Sequence, residues 1–119
     1  MHRRTLIAAG VLMLLAASFV FPRPAPADDD ADIAAKIASA KTAADHEAIA
    51  AYYDHEAAEA RENAERHEKM GEGYKKAGGP FLKTHLHEHC EALVKSYQSE
   101  AKMFAQMAAG HREMAKNAK

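Results

Sequence analysis

Seven histidines, His46, His55, His67, His85, His87, His89 and His111, share the chain from Asp28 onward with the single cysteine, Cys90. Imidazole nitrogen with thiolate sulfur suits zinc or copper, and imidazole with the thioether of methionine suits copper, above all Cu(I). The spacing sorts these residues into three groups. His67 and Cys90 stand at equal distances from the Gly78-Gly79 pair, and so do His46 and His111. If the chain folds back antiparallel about those glycines, each pair forms a layer across the fold. His87 lies one helical turn before Cys90, which makes it a further candidate ligand of the first layer. Met103, Met107 and Met114 run along the side of the segment that carries His111 and extend the second layer, with Met107 named as its candidate ligand.

The third group is His85-Leu86-His87-Glu88-His89-Cys90. On a continuous helix His85 and His89 share a face, and two ligands at that spacing make a weak, unselective site for zinc, nickel or Cu(II). The first histidine is not followed by the glutamate of a zinc-protease helix, so hydrolysis is not suggested. Each group also has a plainer reading. Cys90 serves equally as a small core residue, methionines at helical spacing as gap-fillers or a dimer seam, and the His85 cluster as a solvated helix start.

Other chemistries are set aside. Without Cys-x-x-Cys-His there is no covalent haem attachment, and without paired Glu-x-x-His motifs there is no di-iron bundle site. Glu59, Glu62, Glu65 and Glu68 alternate with Arg61, Arg66 and Lys69 and read as a solvated face. There is no glycine-rich phosphate loop and no sequence context for a serine nucleophile. The expectation is a protein that is not an enzyme.

The elements that must position these residues are helical. Thr42 followed by Asp45 is an N-cap hydroxyl with an acid three residues on. A first long helix, about 43–77, is dense in Ala, Glu, Lys and Arg, and Gly71 and Gly73 leave open an earlier end near Met70. Gly78-Gly79-Pro80 is the stop, and a second long helix runs from about 81 to 117. Asp28-Asp29-Asp30 with Ile33 and Ile37 reads as an acidic lead-in or a short helix over 28–41. The fold expected is therefore all-α, an antiparallel two-helix hairpin with a short N-terminal helix, occupying 42–119 as one domain.

Ala50, Ala57, Ala60 and Ala64 line the first stripe with Tyr53, His67 and Gly71, while Leu86, Leu93, Tyr97 and Phe104 line the second. Small residues meet bulky ones, and Gly71 is expected opposite Leu86. An alanine-lined hairpin buries little apolar surface, so a partner is implied. Ile49, Tyr52, Leu82, Val94, Met103, Met107 and Met114 lie beside the stripes and would supply a second apolar edge. Dimerisation into a four-helix bundle, or docking on another helical protein, satisfies both.

The N-terminus has the order of a secretory signal: basic His2-Arg3-Arg4, an apolar run from Leu6 to Phe21, and a small-residue end at Ala25-Pro26-Ala27. Cleavage is expected after Ala27, giving a periplasmic or secreted protein with no stable membrane anchor, because the apolar run falls short of the roughly 20 residues of a span. Loss of Arg3, Arg4 and Arg23 from 16 Lys+Arg against 17 Asp+Glu moves the formal net charge from −1 to −4. That balance argues against a nucleic-acid partner.

The segments Ala44-Asp45-His46-Glu47-Ala48, His89-Cys90 with Leu93 and Tyr97, and His111-Arg112-Glu113-Met114-Ala115 resemble those of small secreted, alanine-rich helical proteins of bacteria with no assigned function. The likeness spans about residues 42–116. It implies an extracytoplasmic helical protein and carries no catalytic residue. The expectations are thus an exported binder of copper or zinc, acting by sequestration or transfer, or a non-enzymatic structural or interaction protein of the envelope. A pH-responsive envelope protein is a third class, since histidine charge changes between pH 5 and 7.

Overall fold

A computed structural model describes residues 30–119, so the expected signal segment 1–27 lies outside the described residues. Four helices follow in order: α1 Asp30–Ser39, α2 Ala43–Ala77, α3 Pro80–Lys83 and α4 Leu86–Asn117. The 35 residues of α2 and the 32 of α4 pack along each other as an antiparallel hairpin. No strand occurs among the described residues.

The start of α2 is fixed by local chemistry. The Asp45 backbone N–H donates to Thr42 Oγ1 at 3.1 Å, and the Thr42 N–H donates to Asp45 Oδ2 at 2.8 Å, which closes the capping box. The Lys41 N–H adds a second bond to Oδ2 at 2.9 Å. These backbone donors hold the Asp45 carboxyl below the usual carboxylate range. At the other end Gly78 and Gly79 adopt φ of 61° and 55°, a region that side-chain-bearing residues rarely enter. The Gly78 N–H caps the Tyr74 carbonyl at 3.2 Å.

Helix α2 runs to Ala77 as expected, with Gly71 buried inside it, so the alternative end near Met70 is not taken. One expectation about the helices needs correction. The second long helix is not continuous from residue 81. Helix α3 is a single turn opened by Pro80, Thr84 Oγ1 donates back to the Phe81 carbonyl at 2.9 Å, and His85 takes a left-handed conformation with φ of 56°. Histidine is one of the few non-glycine residues enriched there. Its carbonyl then accepts from the Glu88 and His89 N–H groups, each at 3.1 Å, and α4 begins.

The core is mostly alanine. Ala50, Ala57, Ala60 and Ala64 from α2 and Ala101, Ala108 and Ala115 from α4 are all buried. Large residues expected to interlock with them are pushed to the flanks, because alanines on both sides draw the backbones together. Leu93 is 40% exposed, and Tyr97 and Phe104 are half-buried. Helix α1 turns back over the open end, where Ile33 joins Ile49, Ala50, Tyr53 and Ala108. Ile49 is therefore not part of an exposed second edge, since its exposure is 1%.

Candidate functional site

Helices α2 and α4 bring the second predicted layer together. His46 Nδ1 and His111 Nδ1 are 3.2 Å apart, with ring centroids at 5.4 Å. Tyr53 lies between the same helices, stacked on His111 at 5.8 Å and on Phe104 at 6.1 Å. The His46–His111 and Tyr53–Phe104 contacts reproduce the pairing of positions equidistant from the glycine turn. As neutral rings, one imidazole donates through Nδ1–H and the other accepts. Burial, then the nearby charge of His46, pushes the His111 pKa below its usual value of 6.5.

Two nitrogens ligating one tetrahedral ion at about 2.0–2.1 Å stand roughly 3.3–3.4 Å apart. The observed 3.2 Å is close to that spacing, so an ion lying to one side of the line between the nitrogens could replace the shared proton once both rings turn toward it. An open groove of about 540 Å³ adjoins His46, lined also by Lys41, Gly110, Glu113, Met114 and Asn117. Alongside, the Arg112 guanidinium bonds the Asp54 carboxylate and reaches Glu47 at 3.8 Å. That cross-helix bond holds the Asp54 carboxyl below its usual range.

The two residues of the first predicted layer each have a different neighbour. His67 stacks on Tyr97 at 5.5 Å, whereas Cys90 is buried against Gly71, whose missing Cβ would lie 3.1 Å from that of Cys90. Gly71 thus faces Cys90 and not Leu86. The cause is the lean of helical side chains toward their own N-termini. In an antiparallel pair, a ring on α4 tilts toward the turn and one on α2 away from it, so Tyr97 meets His67. Beside this layer is a groove of about 310 Å³, lined by His67, Gly71, Lys75, Glu91 and Val94 among others. His67 Nδ1 and His87 Nδ1 are buried without a hydrogen-bond partner.

His85 is the left-handed residue before α4, so it does not share a continuous helical face with His89. It instead pairs through Nδ1 with Glu88 at 3.1 Å, which lowers the Glu88 pKa. His87 Nε2 is 3.8 Å from the same carboxylate. Met107 is 46% exposed, and the thioether lining the His46 groove belongs to Met114. Among the described residues no three His, Cys, Asp or Glu side chains form a group able to hold a metal ion. Also among these residues, no helix is long and apolar enough to cross a membrane.

The His111 environment gives a pH dependence. A histidine with a lowered pKa in the folded state binds fewer protons than the unfolded chain below pH 6.5. Its contribution is fully present above 6.5 and is lost as pH falls through the folded value. In chelator, the urea midpoint should therefore fall between pH 7.5 and 5.5, and His111→Gln should reduce that fall. An equal fall in both proteins would show that His111 is not its source.

Compared with known proteins, the chain matches no protein-family model, no curated protein and no solved structure.

Proposed function

We propose that this is an exported, non-enzymatic helical hairpin that binds a copper or zinc ion for sequestration or transfer. The observation that carries the reading is the His46/His111 pair, whose Nδ1 atoms stand 3.2 Å apart across the hairpin. Tyr53 stacks on one ring of the pair. Export is supported by the basic, apolar and small-residue order of residues 2–27. His67, His87 and Cys90 are not needed for this site.

A second reading, an envelope interaction protein that dimerises into a four-helix bundle, is favoured by the exposed apolar side of α4. Leu93, Met103, Met107 and Met114 are 40%, 55%, 46% and 45% exposed beside a core built largely of alanine.

One experiment separates the two: elemental analysis and solution mass of untagged protein from its native compartment, with thermal melts in metal and in chelator. Copper or zinc near one per chain is expected, lost in His111→Ala, retained in Cys90→Ala, and raising the melting temperature by linkage. A metal-free protein whose melt ignores both additions would overturn the metal reading. If its mass were also twice that of one chain, the interaction reading would stand in its place.

A further inference from the structure

We infer that the His46/His111 site is selective for Cu(I), with the Met114 thioether as its third ligand. This rests on the metal reading above and goes beyond it to the identity and charge of the ion. Met114 follows His111 by three residues and lines the groove that His46 also lines. A helical side chain leans toward its N-terminus, so Met114 leans back toward the level of His111 while Met107, four residues earlier, leans away. Three rotatable bonds let the thioether swing onto an ion held by the imidazole pair, and at 45% exposure Met114 is free to do so.

The charges around the groove favour a monovalent ion. Two neutral imidazoles and a thioether leave the whole charge of the ion uncompensated, and the cost of desolvating charge rises with its square. A dication at this place would bear the larger cost unless an anionic ligand offset it. The acid lining the groove is Glu113, whose carboxylate is engaged by Lys116 at 3.3 Å and Asn117 at 3.5 Å, and Lys41 lines the same groove. Soft donors without a carboxylate or thiolate match Cu(I) and match zinc poorly.

The test presents the purified protein with Cu(I) from a colorimetric chelator under oxygen-free reducing conditions, and separately with Zn(II) from a zinc chelator. One Cu(I) per chain is expected, with zinc bound at least about tenfold more weakly. Met114→Leu should lower Cu(I) affinity about tenfold or more and leave zinc unchanged, while Met107→Leu changes neither. Both methionines are exposed, so these variants should fold, and circular dichroism verifies it. Zinc binding as tight as Cu(I), or a Met114→Leu protein with undiminished Cu(I) affinity, would overturn the Cu(I) assignment and leave metal binding at the histidines standing. Failure to take up either ion would overturn both.

Discussion

Truncating Ile49 to alanine is expected to lower the unfolding free energy by about 2–4 kcal/mol, the range of large-to-small changes at sites that cannot collapse. Ile49 is the one large side chain that is almost wholly enclosed among the described residues, at 1% exposure. It packs with Ile33 of α1 and with Ala50, Tyr53 and Ala108 of the hairpin. The alanines around it have no longer side chains to move into the vacated space. Small domains hold about 5–15 kcal/mol in total, so a loss of this size removes a large share. The effect should appear as a lower urea midpoint and as faster amide exchange in α1, whose Ile33 belongs to the same buried cluster as Ile49. Ile37→Ala, at a residue 40% exposed on α1, serves as the control and should stay within about 0.5 kcal/mol. A change below about 1 kcal/mol for Ile49→Ala would show that α1 does not close the core.

Gly71 and Gly73 lie two residues apart in one helix, yet substitutions there should act in opposite directions. A Cβ at Gly71 would stand 3.1 Å from the Cβ of Cys90 and 3.7 Å from the His87 carbonyl oxygen. Those atoms are fixed to the α4 backbone, so they can yield only if the helices separate. Gly71→Leu should therefore cost about 1–3 kcal/mol, or more, by overpacking, despite the better helix propensity of leucine. At Gly73 nothing lies within 4 Å of an added Cβ, and the position is exposed. Gly73→Ala should accordingly stabilise by up to about 1 kcal/mol, since it removes backbone freedom from the unfolded chain at no steric cost. Denaturant melts of the two variants read both signs. A stable Gly71→Leu protein would show that the helices do not approach closely there.

What the sequence made legible was local chemistry. Thr42 and Asp45 announced the capping box, and Gly78-Gly79-Pro80 announced the turn, because each acts through groups a few residues away. The pairing of His46 with His111 was legible too, since equal distances from the turn place them opposite each other. The break at Thr84-His85 was not, for neither glycine nor proline marks it, and a one-turn α3 before a left-handed histidine is a product of the turn as a whole. Equal spacing locates Cα positions while side chains lean toward their own N-termini, which is why His67 stacks on Tyr97 and Cys90 packs on Gly71. The same lean is consistent with Met114, and not Met107, lining the groove beside His46. Burial of Ile49 depends on α1 folding back, a tertiary event that no periodicity in α2 encodes.

The alanine seam between α2 and α4 also shapes how the folded state responds to its surroundings. Each alanine exposes little apolar surface on unfolding, so the heat-capacity increment is small for a chain of this length. Enthalpy and entropy then vary little with temperature, and the curve of stability against temperature is low and broad. Such a protein has no sharp thermal optimum to defend. A ligand present at a hundred times its dissociation constant adds about 2.7 kcal/mol, which here is comparable to the loss expected on truncating Ile49. If the proposed ion binds, its occupancy, more than temperature, would then set how much of the chain stays folded.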